Sequence, residues 1–215
     1  MSAAPVPVVL LHGLGRTSFS MRRLERALDA HGHPTLNLDY PSRRRDLRAC
    51  ARHVLPAIVA WQATTGHAVA FVGHSMGGLV ARVVAAEPVV AARAIVMLGP
   101  PNRGSEVADY VHGFALGRRV FGPALGDLRT TAATAMPRPS CPIGVIAGRR
   151  SYLPFTSRLI PDRHDGLVSL ERSRLDGADW ISLDAGHTFL MNHHEVVGAT
   201  TAFLERGSFP DRLRG

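Results

Sequence analysis

Apolar residues fall along this chain in two alternating rhythms. Continuously apolar runs at Pro7–Leu11, Ala68–Val72, Ala94–Leu98 and Ile143–Ala147 predict short strands buried on both faces. Thr35–Leu38 and Trp180–Leu183 predict two more. Between them the spacing changes to that of helices. Residues 18–31 place Met21, Leu24, Ala27 and Leu28 on one face and Arg and Glu on the other. Leu47–Trp61 reads as the next helix, with Pro56 kinking or splitting it. Leu79, Val80, Val83 and Val84 mark a helix directly after the third strand, and Phe189–Leu204 a closing one. Residues 102–140 form the longest interval between strands. There Val107, Tyr110, Val111 and Phe114 share a helical face, and a weaker helix is expected over Ala124–Ala135.

Strands alternating with helices predict an α/β fold, a three-layer α/β/α sandwich around a mostly parallel sheet of about six strands. No repeat, linker or low-complexity tract interrupts it. The chain 1–215 therefore reads as one domain, with 102–140 as a small lid-like helical segment. Ligands of such sheets bind beyond the carboxyl ends of the strands, where strand order reverses. With the first strand between the second and third, that point falls between the His12–Gly15 loop and Ser75, two glycine-rich places.

Composition narrows the class. With 215 residues, 46% hydrophobic and 20% charged, the chain is long enough and apolar enough to bury a core. No apolar run reaches the length of a membrane span. The N-terminus lacks a basic stretch ahead of its apolar run, so no secretory leader and a cytoplasmic location are expected. The net charge is +8 and all 25 basic residues are Arg. Either a codon bias toward Arg or a surface that attracts anionic lipid or nucleic acid accounts for this. Basic residues interleaved with aromatics are missing, which argues against nucleic acid. Cys50 and Cys141 match no metal spacing and are expected to be reduced. His31-x-His33 and His193-His194 lack the partners of a zinc site.

The candidate chemistry centres on Gly73-His74-Ser75-Met76-Gly77, between a strand and a helix. A turn this sharp pushes Ser75 into the open at the positive end of a helix dipole. Gly73 and Gly77 flank it because a Cβ at either place would collide across the turn. The stretch resembles the nucleophile elbow of the α/β-hydrolase family, and in particular of small bacterial serine lipases and esterases with little or no lid. The likeness spans His12-Gly13-Leu14-Gly15, the elbow, Pro101–Ser105, Asp165-Gly166-Leu167-Val168 and Gly186-His187-Thr188, in order. The length of 102–140 departs from the shortest such lipases.

This resemblance implies a hydrolase of carboxylic esters that works through an acyl-enzyme, without metal or organic cofactor. Ser75 is the nucleophile, His187 the general base and then acid, and Asp165 the orienting carboxylate. Asp162 and Asp184 are the rival acids, and His193 and His194 the rival bases. Met76 N–H and, by resemblance, Leu14 N–H form the oxyanion hole. His12 and His74 read as structural, holding their turns through ring hydrogen bonds. His12, Gly13, Tyr40 and Arg103 are expected to border the substrate. Arg16, Arg43–Arg45, Arg103, Arg149 and Arg150 follow strands and are expected to ring the mouth, with Leu14, Tyr40 and Met76 inside. The partners implied are a small-molecule or lipid ester and an anionic membrane surface, with no nucleic acid and no obligate protein partner. Thioesterase, lactonase and amidase activity on the same site, or a non-catalytic lipid- or partner-binding homologue, are the alternatives.

Overall fold

The computed structural model describes residues 5–132 and 136–213. Six parallel strands form one sheet in the order β2-β1-β3-β4-β5-β6, where β1 is Val8–Leu11, β2 Thr35–Leu38, β3 Val69–His74, β4 Ala92–Leu98, β5 Ile143–Gly148 and β6 Asp179–Leu183. The order reverses between β1 and β3, as the glycine placement predicts.

Alternate residues of each buried strand face opposite layers, which is why these runs are apolar throughout. Val9, Leu11 and Phe71 pack against α2 (Leu47–Thr65) and α3 (Met76–Ala85), through Val54, Ile58 and Leu79. Val8, Leu10 and Val72 pack the other way. They meet α1 (Arg22–Ala30) and α8 (His194–Arg206), through Leu24, Leu28 and Phe203. The three-layer sandwich is thus present.

Three of the predicted helices that flank the sheet differ from the observed ones. The segment 18–31 opens as a 3₁₀ turn, Ser18–Met21, before α1. Pro56 does not split α2, which runs past Trp61 to Thr65 and a left-handed cap at Gly66. The carbonyl that the proline leaves unpaired belongs to Arg52, and both residues are exposed, so water can satisfy it. The closing helix is broken. His187–Asn192 is a 3₁₀ turn, and His193, extended at φ −74° and ψ 134°, caps α8. His193 and His194 therefore stand at a helix start rather than inside one.

The long interval holds α4 (Glu106–Gly113), α5 (Ala115–Phe121) and α6 (Ala124–Asp127). Phe114 lies beyond the end of α4 with extended backbone, half exposed like Tyr110, whose ring it meets edge-on. The helix expected over Ala124–Ala135 stops at Asp127, and its last three residues lie outside the described residues. A fourth short helix, α7 (Leu170–Ser173), follows the Asp165 turn.

Arg82, on α3, is buried at 4% exposure and holds both ends of this interval. Its guanidinium donates to Asn102 Oδ1 and to the carbonyls of Met136 and Pro137, each at 3.0 Å. Burial pulls its pKa down to about 10. Among the described residues no helix is long and apolar enough to cross a membrane.

Candidate active site

Parallel pairing in register brings the strand ends to one edge. Leu11 stands opposite Gly73, His74 opposite Leu98, and Gly148 opposite Leu183. Past that edge, β3 turns into α3 through Ser75 alone. Ser75 has φ +53° and ψ −122°, and is the one non-glycine residue at positive φ among the described residues. Such a backbone costs on the order of 1–3 kcal/mol and persists only where its surroundings force it. They do. A Cβ at Gly77 would stand 2.2 Å from the Leu11 carbonyl oxygen, and one at Gly73 2.4 Å from the Gly77 carbonyl. The helix start is pressed onto β1 and β3, and the hydroxyl-bearing carbon is left at the edge.

Asp165 and His187 are joined. His187 Nδ1 donates to Asp165 Oδ2 at 2.7 Å, and both side chains are buried. The other carboxylate oxygen, Oδ1, accepts Leu167 N–H at 3.0 Å and Val168 N–H at 2.8 Å. A main-chain bond from His187 N to Asp165 O, 2.9 Å, fixes the two turns to each other. Asp162 is exposed. Asp184 is 61% exposed and faces Arg150 at 3.7 Å. Neither rival reaches His187.

His187 and Ser75 line one cleft of about 190 Å³. No direct hydrogen bond joins Ser75 Oγ to His187 Nε2 among the described contacts; such bonds are often long until substrate is bound. Leu14 lines the same cleft, and a Cβ on its neighbour Gly13 would lie 3.3 Å from Ser75 Cβ. The amides of Leu14 and Met76 donate no described hydrogen bond. Both are therefore free to receive an anion beside Ser75.

Two histidines hold this geometry without titrating into it. His12 Nδ1 donates to Gly13 O at 2.9 Å, and its ring stacks on Tyr40 at 4.1 Å. Burial pulls its pKa down. His74 Nε2 donates to the main-chain carbonyl of His187 at 2.9 Å, tying the elbow to the histidine loop. Burial, and secondly the neighbouring His187, push its pKa well down. Both rings read as structural, as the sequence suggested.

Several border expectations need correction. His12 is fully buried and Tyr40 is 5% exposed, its hydroxyl donating to His12 O, so they prop the loop from beneath and do not face the cleft. Met76 offers only its backbone, its side chain being buried. Arg103 is engaged by Glu171 and Asp176 and does not line the cleft. Of the arginines expected at the mouth only Arg16 lines the cleft; Arg43 packs along Gly15, Arg150 faces Asp184, and Arg44, Arg45 and Arg149 stand outside the lining. Gly13 and Leu14 do border it.

The walls missed in the sequence are apolar and come from the long interval: Val107, Val111, Phe121, Leu125 and Leu128, with Val168 opposite. Val107 and Val111 carry a helical signal. Phe121, Leu125 and Leu128 sit in segments too short for one.

Known proteins place this architecture. A profile of the alpha/beta hydrolase family matches residues 8–200. A triacylglycerol lipase of Pseudarthrobacter phenanthrenivorans is 34% identical over 125 residues, which is 51% of this chain and 37% of that protein. One from Burkholderia plantarii gives 34% over 125 residues, 51% of this chain and 33% of its own length. The chain thus spans about a third of the length of the curated relatives it matches. Among solved structures, a Bacillus licheniformis lipase in mature form superposes with a TM-score of 0.79 at 19% identity, covering 94% of this chain and 93% of the lipase. A metagenomic carboxyl esterase gives 0.76 at 18%, covering 95% and 77%.

Proposed function

The chain belongs to the alpha/beta hydrolase family, and from that premise we propose that it hydrolyses carboxylic esters through Ser75, His187 and Asp165. The observation that carries the reading is the buried 2.7 Å bond from His187 Nδ1 to Asp165 Oδ2 at the rim of the cleft that also holds Ser75. With its proton held on Nδ1 by Asp165, His187, which lines the cleft, keeps Nε2 bare, where it can act as a base.

His187 takes the Ser75 hydroxyl proton as Oγ attacks the ester carbon. Asp165 stabilises the imidazolium, and the amides of Leu14 and Met76 receive the oxyanion. Collapse breaks the bond to the alcohol, whose oxygen takes the proton back from His187, leaving an acyl group on Oγ. Water, deprotonated by the same histidine, then attacks the acyl carbon. The acid departs and the proton returns to Ser75. No step needs a redox partner or a metal. The apolar walls from Val107 to Leu128 suit an acyl chain.

The test is mass spectrometry after a fluorophosphonate probe, with a short-chain p-nitrophenyl ester assayed in parallel. Covalent mass on the peptide containing Ser75, together with turnover abolished in Ser75→Ala, is the expected result. An unlabelled Ser75 in a folded protein that binds but does not cleave ester would make this a binding member of the family.

A further inference from the structure

The direction in which the alcohol half of a substrate leaves is set by the proposed general acid. His187 must reach the leaving oxygen, so that half passes the loop His187–Asn192. The far face of this loop is one wall of a second depression, of about 630 Å³, bordered by Phe189 and Asn192 on one side and by Arg16, Arg22, Arg23 and Arg26 on the other. Arg16 lines both depressions, so the groove begins where the cleft ends.

The charge of this groove is unbalanced. None of its four arginines makes an ion pair among the described residues. Four guanidinium groups and no carboxylate line the groove itself; Asp39, which feels the charge of Arg22, and Glu25 lie outside its lining, Asp39 accepting the Ser18 amide and hydroxyl and Glu25 accepting Asn37 Nδ2. Two exposed rings carry the guanidinium groups, Phe189 under Arg16 and Phe19 under Arg22, 5.9 and 5.1 Å from the ring centres. Arg22, Arg23 and Arg26 stand within one turn of α1 and are exposed. Guanidinium groups so placed, planar and weakly hydrated, match the oxygens of a phosphate. The opposite walls, from Val107 to Leu128, carry no charge.

Resting on the ester-hydrolase reading, we infer that the alcohol half of the substrate carries a phosphate, which lies in the groove of Arg16, Arg22, Arg23 and Arg26 while the acyl chain fills the apolar cleft. The preferred substrate is an acyl ester of a phosphorylated alcohol. Whether that ester is free or sits in a membrane, the recognised chemistry is the same.

Two soluble esters with one acyl chain decide it: 1-hexanoyl-glycerol 3-phosphate and 1-hexanoyl-glycerol. The expected kcat/KM favours the phosphate ester by about ten-fold or more at low salt. The preference shrinks in about 0.5 M NaCl, where screening is short-ranged. The triple variant R22Q/R23Q/R26Q should lose it, while R48Q/R52Q, which removes equal-signed exposed charge from α2, should keep it. Equal kcat/KM for the two esters overturns the inference and leaves ester hydrolysis standing, because the neutral ester is still cleaved. Failure to cleave either ester, with no probe on Ser75, removes both. Rates on the neutral ester in anionic and zwitterionic vesicles separate the sources. A charge preference seen only with vesicles, and not with the soluble pair, would mean that the groove meets a membrane surface and not the substrate.

Discussion

Asp165→Asn changes one buried oxygen to nitrogen, and the surroundings dictate how the amide sits. Oδ1 receives the N–H groups of Leu167 and Val168 at 3.0 and 2.8 Å. Reversing the amide would set its NH₂ against two donors, so the asparagine keeps its oxygen there. Its NH₂ then replaces Oδ2, 2.7 Å from His187 Nδ1, and donates. His187 must answer with a bare Nδ1 and carry its proton on Nε2, where it cannot accept one from Ser75. The wrong tautomer in such a triad costs about 10⁴ in kcat, or roughly 5 kcal/mol of barrier. Folding should suffer far less, by about 1–2 kcal/mol, since a hydrogen bond remains where a charge-assisted one stood. The assay is kcat/KM on p-nitrophenyl butyrate with a thermal melt on the same samples, beside Asp162→Asn and Asp184→Asn. Activity of Asp165→Asn within ten-fold of the parent would refute the tautomer argument. A larger loss in either exposed aspartate would move the orienting role there.

Two further outcomes follow from backbone and burial. Ser75→Gly relieves a side chain held at φ +53°, so the inactive variant should unfold at a higher temperature, by about 1 kcal/mol of added stability; an unchanged or lower Tm contradicts stored strain. His12, His33 and His74 all bind protons more weakly in the fold than in the unfolded chain, chiefly because of burial, against an ordinary value of 6.5. The unfolded state therefore takes up more protons as pH drops, and stability should be level above 6.5 and fall below it. Its slope approaches roughly 1.4 kcal/mol per pH unit for each histidine until its lowered folded-state pKa is reached. Urea midpoints from pH 8 to 5 measure it, and a flat line would show that these rings are not held neutral.

Much of the site was readable because each component must sit beside a strand end. Unbroken apolar runs marked β1 and β3, and glycines forced by contact marked the elbow between β3 and α3. Asp165 and His187 were readable as the turns after the last two strands. What the sequence hid depends on directions that spacing does not carry. Arg103 and Arg150 follow strands just as Arg16 does, yet acids at 171, 176 and 184 draw them aside. Tyr40 follows β2 but stacks under His12. Phe121, Leu125 and Leu128 are brought to the cleft by tertiary packing of short helices with no period of their own. The break at His193 escaped because apolar residues continue at helical spacing on both sides of it.

Arg82 has a consequence for how such a protein can diversify. One guanidinium grips Asn102 at the departure of the long excursion and Met136 at its return, so the two ends sit a few ångströms apart whatever runs between them. Lengthening a loop whose ends are already pinned costs little, since closure entropy grows only with the logarithm of length. The stretch that supplies most of the apolar lining is in effect an exchangeable cartridge. Grafting a foreign stretch between these two anchors should retune which chain lengths fit while Ser75, Asp165 and His187, on the loops after other strands, stay where they are.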